Sequence, residues 1–277
     1  MKQFIQKYDV SIVVMSLLAI GFVITYVTIG TWAAVRGFAV EALILSLAFY
    51  VARRWLPWED APKERVKWPK LEIALALLAY GLLLPTGRDS GEFANSFIQP
   101  AIAFFVPLLV FMAGRYGWAA WGLRWPTRRE LLVLLAVVAI VFGLSRGFDA
   151  ILPPGELSAG AGSPVVTSNF ELGILLATLL FGAIPQELFF RVFLQTRVAA
   201  YLPGRWALFA QALMYSVMLE FAFLIGNSTL PSSSPSFALA QALVLSNGIL
   251  AGYFWRKTGS LPLLILLHLF AFSRFGL

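Results

Sequence analysis

The sequence predicts an all-α, polytopic membrane protein of about nine transmembrane helices (eight to nine), with its N-terminus in the cytoplasm. Three observations carry this. Of 277 residues, 60% are hydrophobic and 13% charged, against roughly 25% charged in soluble domains, and the mean hydropathy is +0.81. The apolar residues gather at about 10–32, 38–52, 71–86, 97–114, 130–146, 171–195, 206–225, 237–255 and 261–274, most of them at or somewhat below the roughly 20 residues that cross a bilayer. The basic residues then alternate. Segments 1–9, 53–70, 115–129, 196–205 and 256–260 hold sixteen of the 21 Lys and Arg, the alternate segments hold only Arg36, Arg88, Arg146 and Arg274, and Arg191 lies within a span. Such a bias at every second loop sets orientation by the positive-inside rule.

The first stretch follows Lys2 and Lys7 as a signal peptide would, but no small-residue cleavage pattern succeeds it, so a retained span is expected. The segment from Arg53 to Lys70 mixes Trp55, Trp58 and Trp68 with lysines and arginines, a composition suited to the headgroup region, and Pro57, Pro62 and Pro69 argue against one helix through it. Residues 146–169, with Pro153, Pro154, Gly155, Gly160 and Gly162, form a flexible polar connection; residues 227–236 form a shorter one. The longer connection divides an accessory N-terminal set of spans, 1–165, from a core, 166–277.

Composition also excludes chemistry. There is no cysteine, hence no disulfide, thiolate ligand or thiol nucleophile, and there is one histidine. The net charge of +7 sits in short loops between apolar runs, which suits anchoring to membrane lipids and not nucleic acid. The 24 phenylalanines and 9 tryptophans read as lipid-facing bulk and interface belt, although a subunit packed beside lipids, quinones or pigments would look alike.

Within the sixth span, Phe181-Gly-Ala-Ile-Pro-Gln-Glu-Leu-Phe-Phe-Arg-Val-Phe-Leu-Gln-Thr-Arg197 places Glu187 and Arg191 four residues apart. On a helix the two share a face within reach of a salt bridge, which keeps both charges satisfied away from water. Pro185 removes a backbone donor and is expected to kink or start a helix there, leaving a gap where side chains or water gather.

These residues give residues 166–277 a resemblance to the CPBP family of intramembrane proteases, which contains CAAX prenyl endopeptidases and bacterial bacteriocin-processing and immunity proteins. The EExxxR motif of that family is matched by Gln186-Glu187-Leu-Phe-Phe-Arg191 except at its first glutamate. The FxxxH motif falls on Tyr215-Ser-Val-Met-Leu219, without its histidine. The last motif, HxxxN after a TGSL-type turn, is matched by Thr258-Gly-Ser-Leu and His268, with Phe272 at the asparagine position. Trp121-Gly-Leu-Arg-Trp-Pro126 is a weaker echo. The resemblance implies a multi-pass protein of a bacterial inner membrane. It also implies that position 186 and the motif-two residue activate the attacking water, while His268 and position 272 stabilise the oxyanion. The catalytic motifs are thus degenerate: Gln186 can position a water but cannot take its proton, and Leu219 can do neither.

Glu187, His268, Gln186 and Arg191 are therefore the candidate catalytic residues if the protein is active. The same Glu187 and Arg191 serve equally as a structural ion pair, and His268 as a donor to a carbonyl or to Gln186. Zinc is not expected, since a site ordinarily uses at least three protein ligands and this half offers His268 and Glu187, with Glu220 a third only if it does not stand at the outer surface. Glu220 reads as a residue of the outer surface, or else as a substitute acid. Glu41 pairs with a neighbouring helix on this reading, and Gln211, Gln241, Ser246 and Asn247 hydrogen-bond across packed helices. Three functions stay open: a non-catalytic relative binding other subunits of a membrane complex, an endopeptidase acting on a transmembrane or prenylated peptide, and a small-molecule transporter.

Overall fold

The computed structural model describes residues 32–57, 59–61, 65–83, 91–151, 172–202, 204–226 and 235–272. All regular elements among them are helical: α1 (Trp32–Trp55), α2 (Pro69–Leu83), α3 (Gly91–Ala113), α4 (Arg128–Ile151), α5 (172–198), α6 (Gly204–Gly226), α7 (Pro235–Thr258) and α8 (Leu261–Leu267), the last continuing into a wider turn, His268–Phe272. A short 3₁₀ turn, Trp118–Trp121, lies between α3 and α4. Helices thus stand at eight of the nine apolar stretches. The ninth, 10–32, lies outside the described residues, as do the connection 152–171, with the proposed boundary at 165, and most of 227–236. Two segments among the described residues, Arg128–Phe148 and Leu175–Val198, are by length and composition apolar enough to cross a membrane.

Several helices exceed the expected lengths, and in two the cause is local. α1 runs through Arg53 and Arg54, whose charges favour the negative pole of its last turn, and stops just before Pro57. α4 starts on a capping box that the sequence spells as Thr127-Arg-Arg-Glu130: the Glu130 amide donates to Thr127 Oγ1 at 3.3 Å and the Thr127 amide donates to Glu130 Oε2 at 2.8 Å.

α5 is the central rod, touching α3, α6, α7 and α8. α6 packs along α7 and α1 along α4, and one continuous apolar core draws on helices from both sides of residue 165. The outer surface is apolar where that of a soluble bundle is polar, and charged and amide side chains lie within the largely apolar interior. Leu78, Leu109, Leu132 and Leu135 point outward, while Glu72, Glu187, Arg191, Arg197, Gln211, Asn247 and His268 are buried, an arrangement that suits a hydrocarbon solvent.

At one end, the last turns of α1, α3, α5 and α7 and the first turns of α2, α4, α6 and α8 come together, and cross-loop bonds tie them. The Leu261 amide donates to the Gly122 carbonyl at 2.8 Å, and the Ala61 amide donates to Arg256 at 3.0 Å. Arg129 Nε donates to the Trp55 carbonyl at 2.7 Å, and Ser260 Oγ donates to the Arg124 carbonyl at 2.9 Å. Asp60 is shared by Arg256 Nε at 2.7 Å and Lys257 Nζ at 2.9 Å. Burial alone pushes the Asp60 carboxyl up, but the bonds and charges of Lys257 and Arg256 outweigh it and hold the group below its usual range. Trp55, Trp68, Trp118, Trp125 and Trp206 are all exposed at this basic end.

Candidate functional site

The site is built where α5 meets α8. At Pro185 the helical path of α5 continues, and a short α-helical turn starts at Ile184 with the proline in its first turn. Pro185 cannot donate a backbone bond, and the helix instead widens on either side of the short α-helical turn Ile184–Gln186, into π-helical Thr178–Ala183 and Glu187–Gln195. The Ile184 amide reaches back five residues to the Leu179 carbonyl. All nine residues of the second π segment are buried.

α8 is brought to α5 by the Thr258-Gly-Ser-Leu-Pro turn. Gly259, at φ +59°, caps α7, its amide donating to the Trp255 carbonyl at 2.8 Å. Ser260 then caps α8, accepting from the Leu263 amide at 3.4 Å, and Pro262 fits the first turn, where no amide is needed. His268 lies eight residues on from Ser260, and Glu187 eleven before Val198. At about 1.5 Å per helical residue, both lie no more than about 16 Å from the basic end, about half the roughly 30 Å of a hydrocarbon core.

There His268 Nδ1 lies 2.8 Å from Glu187 Oε1. A carboxylate only accepts, so the shared proton belongs to Nδ1. The other carboxylate oxygen, Oε2, stands 3.4 Å from Arg191 Nε. None of the three side chains is exposed. The Glu187–Arg191 pair lacks hydrogen-bond geometry: Glu187 Oε2 and the three Arg191 nitrogens make no hydrogen bond among the described residues. Instead the guanidinium sits 4.0 Å from the centroid of the Tyr215 ring, a cation–π contact. Tyr215 also packs its ring edge-on to Phe190 and donates its hydroxyl to Gln186 Oε1 at 3.2 Å.

The four sequence-predicted residues are therefore in one place, and the His268 ring bonds to Glu187. Tyr215 is the residue that sequence reasoning missed; the signal was a hydroxyl added to an aromatic at the first position of the second motif. The side chains of Glu41, Leu219, Glu220, Gln241 and Phe272 lie outside the described set. Among the described residues no three His, Cys, Asp or Glu side chains gather as a metal ion would need.

Of the polar residues expected to bond across helices, Gln211 and Asn247 are buried with side chains that make no hydrogen bond among the described residues, a correction to that expectation. Gln195, which was not among them, does so: its Nε2 donates to the Gly252 carbonyl at 2.9 Å. α7 approaches closely at Gly252, where an added Cβ would lie 2.9 Å from both Gln195 Oε1 and Gln211 Oε1.

Arg197, counted among the loop cations, is also buried. Its Nε donates to Glu72 Oε2 at 2.7 Å, tying α5 to α2, and its guanidinium lies among Phe193, Phe111 and Tyr116 at 4.3, 4.8 and 5.1 Å from the ring centroids. The Tyr116 hydroxyl donates to Glu72 Oε1 and accepts from the Lys67 amide at 2.8 Å. Burial, then the Glu72 bond, raises the Tyr116 hydroxyl above its usual range.

Residues 168–271 match the family of type II CAAX prenyl endopeptidase Rce1-like proteins. The match spans α5 to α8, and with them Gln186, Glu187, Arg191, Tyr215 and His268. Neither the curated proteins nor the solved structures gave a match to the chain.

Proposed function

From the membership of residues 168–271 in the CPBP family, the membrane-embedded family that includes the Rce1-like endopeptidases, we propose that this protein keeps the family's helical centre as architecture. On this reading it works by binding, as a structural subunit or assembly factor of a membrane complex. The observation that carries the proposal is the Glu187 carboxylate, fully buried and engaged on one side by His268 and on the other by Arg191. Held between these two, the carboxylate serves to join α5 to α8. Gln186, which cannot take a proton, is itself bonded to Tyr215, and the sequence has Leu219 and Phe272 where the family has histidine and asparagine.

Nine spans with the N-terminus inside form part of the same proposal. The helices at eight apolar stretches, the outward leucines and the gathering of basic loops and tryptophans at one end support it.

One observation favours a second reading, an active endopeptidase. A carboxylate bonded to Nδ1 at 2.8 Å is how a histidine is fixed in the tautomer that leaves Nε2 to act as base. In that reading Glu187 orients and His268 takes the proton. The two are separated by incubating detergent-purified protein with a prenylated or transmembrane peptide, and by mild solubilisation followed by size analysis. The structural reading expects no cleavage above the His268→Ala background and stoichiometric partners in the membrane extract. Cleavage that disappears in both His268→Ala and Glu187→Gln overturns it.

A further inference from the structure

At the basic end, a cleft of about 1040 Å³ opens between the segment leading into α2 and the last turn of α5, lined by Arg65, Val66, Lys67, Trp68, Pro69, Thr196, Ala199 and Ala200. Its volume is at the upper limit of small-molecule sites. Its chemistry is divided: Val66, Pro69, Ala199 and Ala200 give an apolar floor, Arg65 and Lys67 give the cations, and Trp68 stands 55% exposed at the rim. No carboxylate of the described residues lines it.

Two described acids of this end are turned elsewhere. Glu72 is spent on Arg197 and Tyr116, and Asp60 on Arg256 and Lys257. Lys67 Nζ donates to the Gly114 carbonyl at 2.5 Å, which leaves two of its three donors for a ligand. The carbonyls at the end of α5 would repel an anion, but those of Gln195, Arg197 and Val198 already accept from Ala199, Ala200 and Tyr201. Lys70, one residue beyond the lining, lies 5.9 Å from the Tyr201 ring centroid and adds a further positive charge at the mouth.

We infer that this cleft is a binding site for the phosphate headgroup of an anionic phospholipid, held by Arg65 and Lys67 with its glycerol and upper acyl chain against the apolar floor and Trp68. Cations beside an interfacial tryptophan, between membrane helices, are the arrangement that selects an anionic headgroup over a zwitterionic one. The inference is independent of whether the Glu187 centre is catalytic.

The test uses the full chain in neutral detergent. Thermal unfolding is followed with added phosphatidylglycerol, phosphatidylcholine or inorganic phosphate. A ligand that binds the folded state raises the midpoint in a saturable way. Phosphatidylglycerol should do so, phosphatidylcholine should not, and millimolar phosphate should not replace it. In Arg65→Gln, an exposed position, the apparent affinity should fall at least about tenfold while the midpoint without lipid stays unchanged. As a second readout, brominated phosphatidylglycerol should quench a part of the tryptophan emission that is missing in Trp68→Phe. Equal effects of the two lipids, full replacement by phosphate, undiminished affinity in Arg65→Gln, or quenching unchanged in Trp68→Phe would each overturn the site.

Discussion

His268 Nδ1 donates to Glu187 Oε1 at 2.8 Å where α8 crosses α5, and no part of either side chain is exposed. The same carboxylate is the nearest counter-charge of Arg191. Glu187→Gln keeps an acceptor for His268 but leaves the buried guanidinium without an anion, a change that costs about 3–5 kcal/mol when one partner of a buried pair is removed. The expected outcome is a large fall in unfolding midpoint in detergent, with much of it recovered in Glu187→Gln combined with Arg191→Met. A double variant no better than the single one would mean that the pair is not coupled.

The Glu72–Arg197–Tyr116 network makes a second, separate stability claim. Tyr116→Phe removes a hydrogen bond to a charged acceptor and should cost about 1.5–3 kcal/mol; Arg197→Met should cost more, because Glu72 is then buried without its cation. The Tyr116 hydroxyl is raised above its ordinary value in the folded state, by burial first and the Glu72 bond second. Its contribution is therefore complete below the unfolded value of about 10 and lost as pH rises through the higher folded value. Unfolding midpoints measured upward from pH 9 should fall more steeply in the parent protein than in Tyr116→Phe.

Much of this was legible in the residues, and what was not has physical causes. Helix positions followed from apolar length, and the Gly259, Ser260 and Pro262 signals of the α7–α8 turn act locally, so the sequence displays them. The meeting of Gln186, Glu187 and His268 was legible only through motif resemblance, because it depends on how α5 and α8 cross. Arg197 was misjudged for a similar reason. Its partner Glu72 is 125 residues away, and no local pattern distinguishes a cation that snorkels from one that turns inward to an acid on another helix. The widened π-helical turns on either side of Pro185 were not legible, because no local pattern in the residues spells that hydrogen-bonding register.

Asp60 fastens the segment between α1 and α2 to the end of α7, and its behaviour with acid has a definite sign. Its carboxyl is held below the usual range because the bonds and charges of Lys257 and Arg256 outweigh burial. Stability from it is thus present above the unfolded value of about 3.9 and lost as pH falls through the lower folded value. Because Asp60 is 42% exposed, solvent screens the pair and the effect is modest. Proteolysis within residues 56–68 should accelerate below about pH 4. In Asp60→Asn it should be fast already at pH 7; equal rates for the two proteins at pH 7 would remove Asp60 as the fastening residue.

Gly122 is the point at which the loop before α4 touches both α7 and α8. Its φ is +68°, and its carbonyl accepts from the Leu261 amide. An added Cβ would lie 2.6 Å from Cζ3 of Trp255 and 3.3 Å from the Leu261 amide nitrogen. Trp255 is buried and donates its indole N–H to Thr196 Oγ1 at 3.3 Å, so its ring cannot swing away without losing that bond. Gly122→Ala should therefore lose about 1–2 kcal/mol from the left-handed backbone alone and more from the collision with the indole. Gly143, within α4, has nothing within 4 Å of an added Cβ, and Gly143→Ala should gain up to about 1 kcal/mol from helix propensity. Opposite shifts in unfolding midpoint are the expected result, together with a changed tryptophan emission in Gly122→Ala. Equal shifts in the two variants would show that Trp255 and the Gly122 turn do not constrain each other.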